Sequence, residues 1–220
     1  MKNIVFDMSD MHLHGSAFYD FLRLRKRFFI DGLGWDIPTD GIVEMDQYDT
    51  PYAHYSLVEH DGQIIAGTRC QSTAVSWGPY SCMMRDASLG LLNGIPDDLF
   101  DPDVCSPELW EGTRLVVADE VRSVMRRTQC LALAIDGLVR SIRSRGGTSF
   151  ITFSPLPLQR TARMVGVEAE RMSRAYVCAS DGREYAVFRA PATRAVDRLE
   201  ALGINPETHE VIEAEFSLAG

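Results

Sequence analysis

Apolar residues recur along this chain at two different periods. Leu131, Leu133, Ala134, Leu138 and Ile142 fall on or near one helical face, with Gly146-Gly147 beyond, so a helix is predicted over Arg127–Arg145. Phe18, Phe21, Leu22, Leu24, Phe28 and Phe29 follow the same period and predict a helix over Ser16–Asp31, closed by Gly32 and Gly34. Shorter apolar runs bounded by turn residues predict strands at Lys2–Met8, Glu108–Ala118 and Ser149–Ser154. Two hairpins are predicted by composition: Tyr52–Glu59 with Gln63–Ser72 around His60-Asp61-Gly62, and Arg174–Ala179 with Arg183–Arg189 around Ser180-Asp181-Gly182. Further helices are read at Pro157–Val165 and Pro191–Leu202, a short helix or loop at Arg85–Leu92, and a proline-bearing surface loop at Asn93–Pro107.

With no internal repeat, residues 1–220 read as a single domain. Strands alternating with helices imply an α/β fold, a three-layer α/β/α sandwich with helices on both faces of a mixed sheet. The order of elements is that of the acetyltransferase (GNAT-like) type. In that type the sheet is V-shaped, and two neighbouring parallel strands splay apart to admit a pantetheine arm.

One stretch resists burial. Arg23 to Asp49 carries Arg23, Arg25, Lys26, Arg27, Asp31, Asp36, Asp40, Glu44, Asp46 and Asp49, and charges are rarely buried unless paired. It is expected outside the core, ordered by something that binds it.

Composition narrows the class. A hydrophobic fraction of 45% and a charged fraction of 24% suit a globular protein, and no apolar run approaches the roughly 18 residues a membrane helix needs. No membrane insertion is expected. Asp7 and Asp10 interrupt the first residues before an apolar run can form, so no signal or transit peptide is read and a cytoplasmic location is expected. The five cysteines form no CxxC pair, and His12 with His14 lacks a third ligand, so neither a disulfide framework nor a metal site is expected. The net charge of −9 hides an asymmetry: Arg122, Arg126, Arg127, Arg140, Arg143, Arg145, Arg160 and Arg163 face a single acid, Asp136, between Val121 and Val167. A basic patch on an acidic chain suits an acidic partner and argues against bulk nucleic-acid binding.

An ordered set of residues then points to a family. Arg25, Phe29 and Trp35 stand at R-x3-F-x5-W with an LGW triplet, Asp46 and Asp49 at D-x2-D, Arg69 within Gly67-Thr68-Arg69, and Glu111 and Arg114 within Trp110-Glu111-Gly112-Thr113-Arg114. Over roughly Arg25 to Gly166 this set resembles the acyl-homoserine lactone synthases of bacterial quorum sensing.

The resemblance implies transfer of an acyl group from acyl carrier protein, or acyl-CoA, to the amine of S-adenosylmethionine, then lactonisation and release of methylthioadenosine. S-adenosylmethionine is then a substrate, and no cofactor is implied. By the family pattern Arg25, Phe29 and Trp35 belong to a mobile segment enclosing S-adenosylmethionine, with Thr113 assigned to the same substrate. Asp46, Asp49, Arg69, Glu111 and Arg114 form a charged cluster in which Glu111 is the preferred general base. Thr152, Ser88 and Leu115 are assigned to the acyl group, and Arg160, Arg163, Arg126 and Arg127 to docking of the acidic carrier.

The chain also departs from the family. Ser88 and Leu115 stand where phenylalanines are common, and Gly112 replaces a branched residue after Glu111. Two other readings stay open: a general acyl-CoA N-acyltransferase of the same fold, and a binding homologue without activity. The first would carry a glycine-rich phosphate turn before the long helix, and Asp119 to Cys130 contains no glycine.

Overall fold

The computed structural model describes residues 1–212. In chain order its main elements are β1 (Lys2–Asp7), α1 (Ala17–Arg25), β2 (His54–His60), β3 (Gln63–Ser72), α2 (Met83–Ser88), β4 (Leu109–Val117), α3 (Val124–Ser144), β5 (Ser149–Pro155), α4 (Leu158–Met164), β6 (Glu170–Arg171), β7 (Tyr176–Val177), β8 (Glu184–Pro191), α5 (Val196–Ala201), β9 (Ile204–Asn205) and β10 (Glu210–Val211). All ten strands join one sheet in the order β6-β8-β5-β4-β3-β2-β1-β10-β9, with β7 alongside β8. α1 packs on one face of β3 and β4, and α3 crosses β1 to β4 on the other, which makes the three layers.

Among the described residues only β4 and β5 pair in parallel, and their ladder runs no further than Leu109↔Ser149 to Glu111↔Ile151. Beyond that point the strands part, giving the V expected from the element order. Gly112 sits where the ladder stops, and a Cβ there would meet Leu138 Cδ1 of α3 at 3.0 Å. The missing side chain lets the long helix close on the vertex. Gly137, on α3 itself, does the same against β1 and β2, where Ser56 Oγ and Asn3 Oδ1 occupy the space a Cβ would need, and Ser56 Oγ donates to the Ala134 carbonyl at 2.7 Å.

The β3–β4 ladder carries the irregularity that shapes the site. Arg69 opposes Thr113 and Gly67 opposes Val116, so Arg114 and Leu115 together face Thr68. This is a β-bulge, and Arg114 adopts the left-handed conformation at φ 57°. Thr68 Oγ1 donates to the Thr113 carbonyl at 2.9 Å, within the interrupted ladder. As a result Thr113 and Arg114, although adjacent, both serve one face, while Leu115 turns to the other.

Several boundaries differ from expectation. The Ser16–Asp31 helix is α-helical only to Arg25 and continues as a wider π-helical turn over Lys26–Gly32. The long helix starts at Val124, one turn early, where the Ser123 hydroxyl accepts from the Arg126 N–H. The last helix shrinks to Val196–Ala201 because β8 runs on to Pro191, paired with β5 through Ser149↔Pro191. The second hairpin pairs only at Tyr176↔Tyr185 and Val177↔Glu184. The short strands β6, β9 and β10 carry too few residues for a periodic signal and were not predicted.

Candidate active site

The Arg23–Asp49 stretch divides: Arg23, Arg27, Asp31, Asp36 and Asp40 are exposed, as expected, whereas Arg25, Glu44, Asp46 and Asp49 are buried through charge pairing. Arg25, at the end of α1, is fully buried; its Nε donates to Glu44 at 2.6 Å, and its two terminal nitrogens grip Asp49 at 2.8 and 3.0 Å. From β3, Arg69 binds Asp46 in bidentate fashion and approaches Asp49 at 2.8 Å. From the bulge, Arg114 reaches Glu44 at 3.2 Å and Asp46 at 2.8 Å. Tyr55 OH adds a bond to Asp49 at 2.9 Å, and Arg69 Nε donates to Thr113 Oγ1 at 3.2 Å.

Guanidiniums at 25, 69 and 114 thus meet carboxylates at 44, 46 and 49, and the buried network is neutral. Burial alone would raise the aspartate pKa values. Arg69 and Arg114 reverse this and hold Asp46 well below the usual carboxylate range, and Arg69 with Arg25 lowers Asp49 in the same way. Glu44 was absent from the predicted site, yet it bridges Arg25 and Arg114. A charge count hid it, because Glu111 already stood as the third carboxylate beside Arg25, Arg69 and Arg114.

Glu111 is set apart. Its two carboxylate oxygens accept from the backbone N–H groups of Met83 and Met84, each at 2.8 Å, at the start of α2. No salt bridge joins it to Arg114 or Arg69 among the described residues, which corrects the expected five-member cluster. It nevertheless shares the sheet face of Arg69 and Thr113, two rungs along, opposite Gln71. Burial pushes its carboxyl up to about 7, against the lowering pull of the Met84 and Met83 amides. A second buried acid, Asp86, braces α2 by accepting from Tyr48 OH at 2.9 Å and from the Ser81 hydroxyl and N–H.

The aromatic residues form a separate group beside the network. Phe29 is buried and stacks on Trp35 with centroids 5.0 Å apart, and the Arg114 guanidinium lies over the Phe29 ring at 5.3 Å. Trp35 Nε1 donates to Asp181 at 3.0 Å, tying the segment to the β7–β8 turn. Arg25 does not join this group: its guanidinium lies in the buried network with Glu44 and Asp49.

On the opposite face the parted strands open into a narrow apolar cleft, lined by Thr68, Gly112, Leu115, Leu138, Phe150 and Thr152, with α4 along one side. Thr152 and Leu115 are therefore brought together as expected. Thr152 Oγ1 shares a hydrogen bond with Ser154 Oγ at 2.8 Å. Ser88 is not on the cleft: it closes α2, donating to the Arg85 carbonyl at 2.7 Å, because the residues after Tyr80 form a helix rather than a loop reaching inward.

The arginine-rich segment divides as well. Arg140, Arg143, Arg145 and Arg127 are held by protein groups, half-buried Arg127 through Nη1 by the Ala118 and Val121 carbonyls at 3.2 and 3.1 Å. Arg126 and Arg160 are exposed, as is Arg163, which is bonded to exposed Glu168 at 3.2 Å. Arg160 and Arg163 lie on α4, the helix beside the cleft. Among the described residues no helix is long and apolar enough to cross a membrane, and no group of His, Cys, Asp and Glu is arranged to hold a metal ion.

Comparison with known proteins adds an independent line. The family profile described as autoinducer synthase matches residues 10–188. An acyl-homoserine-lactone synthase of Acinetobacter nosocomialis is 29% identical over 157 residues, 69% of this chain and 80% of that protein. Among solved structures, TofI in a ternary complex with an inhibitor and MTA superposes with a TM-score of 0.68 at 22% identity, over 94% of this chain and 100% of that one. BjaI, a CoA-dependent acyl-homoserine lactone synthase with SAM and isopentyl-CoA, gives 0.70 at 15% identity, over 96% and 92%. At those identities the two structures speak for the fold.

Proposed function

This chain belongs to the autoinducer synthase family, and from that premise we propose how its site makes an acyl-homoserine lactone. The amine of S-adenosylmethionine attacks the thioester carbon of an acyl donor. A C–N bond forms, the C–S bond breaks, the amine's proton passes to Glu111, and the thiol leaves. The methionyl carboxylate then attacks its own γ-carbon, and the C–S bond to the sulfonium breaks to release methylthioadenosine.

The observation that carries this reading is the state of Glu111: a buried carboxylate raised to about 7, held by two amides rather than by a cation. A base of that strength takes a proton from an amine at neutral pH and can return it to the departing thiol. The arginine–carboxylate network moves no proton. Being neutral and fully paired, it sets the shape of the site, holds Thr113 through Arg69 and sets Arg114 over the Phe29 ring, while half-buried Trp35 offers an indole suited to the adenosyl group and its sulfonium.

The cleft between β4 and β5 takes the acyl chain, with Thr152 at its wall as a donor for a 3-oxo group. Exposed Arg126, Arg160 and Arg163 support an acidic acyl carrier protein as donor, docked over α4 beside the cleft mouth. The location that goes with such a donor is the cytoplasm.

The acyl-CoA N-acyltransferase reading loses ground at the start of α3, where Ser123 of the chain itself accepts an amide that a phosphate turn would offer to its ligand. Mass spectrometry of culture extract from cells expressing the protein tests the proposal. A lactone with an identifiable acyl chain supports it, and an extract without one overturns it.

A further inference from the structure

One buried polar atom has no use in the mechanism above. Gln71 is 3% exposed, and its side-chain Oε1 has no hydrogen-bond partner among the described residues, although nearly all buried polar groups in folded proteins have one. The orientation of the amide is fixed, because its Nε2 donates to the Ser81 carbonyl at 2.6 Å and a flipped amide would set two acceptors against each other. Ser81 is itself fastened through its N–H and hydroxyl to Asp86, so the acceptor cannot retreat from Gln71.

The position of Gln71 gives the free oxygen its meaning. Gln71 opposes Glu111 across β3–β4, on the face that carries Arg69 and Thr113, and directly opposed side chains in an antiparallel pair are immediate neighbours. The rung therefore holds a carboxylate of raised pKa and, beside it, a neutral acceptor waiting for a donor.

An amine nucleophile needs that pairing. Its lone pair must point at the thioester carbon while its hydrogens are held elsewhere, one of them on the base. We propose that Gln71 is a substrate-contacting residue whose side-chain oxygen accepts a hydrogen bond from the amino group of S-adenosylmethionine, beside the Glu111 carboxylate that takes the proton. Gln71 moves no proton; it aims the nitrogen. This rests on the reading that the chain acylates S-adenosylmethionine.

Gln71→Met removes the acceptor at nearly constant volume. It lowers kcat/KM for S-adenosylmethionine about 10- to 100-fold, the scale of a lost hydrogen bond to a charged group, and leaves KM for the acyl donor in place. Gln71→Glu keeps an acceptor but adds a carboxylate beside Glu111, which moves the acid limb of the kcat/KM profile to higher pH. The wild-type protein supplies a readout that needs no variant: the Gln71 side-chain amide resonance shifts on adding S-adenosylmethionine and not on adding acyl donor alone.

A folded Gln71→Met enzyme with kcat/KM within about twofold of wild type overturns the inference, as does an amide resonance indifferent to S-adenosylmethionine. A wild-type protein that makes no lactone defeats the underlying reading instead, so the two failures are distinguishable.

Discussion

Two sets of acids share one face of the sheet and live under opposite conditions. Asp46 and Asp49 are buried against arginines and held below the usual carboxylate range, whereas Glu111, two rungs from Arg69, is buried against backbone amides and raised to about 7. Desolvation is the leading influence on all three. The partner decides the outcome: a full positive charge overrides the penalty of burial, and a pair of amide dipoles does not. The same fold thereby builds a rigid scaffold and a titrating base within a few side chains of each other.

The contrast can be broken most severely at the base. Glu111→Gln should cut lactone formation by about 10²- to 10⁴-fold, the usual worth of a general base, with the circular dichroism spectrum unchanged. Near-normal turnover would take Glu111 out of the mechanism.

At the scaffold the expected damage is to stability. Arg69→Met leaves Asp46 and Asp49 short of a cation and should cost about 3–5 kcal/mol in urea unfolding. A loss below about 1 kcal/mol would place the aspartates at the level of surface pairs, contrary to their burial.

A pH series sharpens the comparison without a change of side chain. Folded Glu111 keeps its proton up to about pH 7, while an unfolded glutamate releases it near 4.5, so the folded state binds more protons between those values and stability falls as pH rises through them. The lowered aspartates act with the opposite sign: their contribution is present above the ordinary aspartate value and disappears as pH falls through their folded values. Melting temperature against pH should therefore slope downward from about 4.5 to 7 in the wild type and lose that slope in Glu111→Gln. A wild-type curve flat over that window would contradict the raised value.

The smallest effect belongs to the surface. Reversing Arg160 and Arg163 to Glu should raise the apparent KM for acyl carrier protein several-fold, mostly at low salt, and leave KM for S-adenosylmethionine unchanged. An unchanged KM for the carrier would remove α4 from the docking face.

The sequence made the scaffold's cations and the long helix readable because both leave a local trace. α3 has a periodic apolar face, and Arg25, Arg69 and Arg114 stand in family order. The base's environment left none, since Met83 and Met84 bind Glu111 through amides that any residue but proline carries. Glu44 was visible only as one acid among several, and its place emerged from the bulge that swings Arg114 onto the same face. The half-buried place of Arg127 was hidden for a related reason: the Ala118 and Val121 carbonyls that hold its Nη1 cannot be seen in composition. Gln71 gave no sequence signal at all, because an orphaned acceptor exists only once every neighbour is placed.

The extra residue in β4 has a consequence for engineering. Because Arg114 and Leu115 together face Thr68, the strand's inward and outward positions change parity there. A chimera joined to a relative anywhere between Thr113 and Val116 must keep that count. Deleting one residue would send Val116 and Val117 to the wrong sides and invert the far end of the strand, while the active-site half before Arg114 stayed in register.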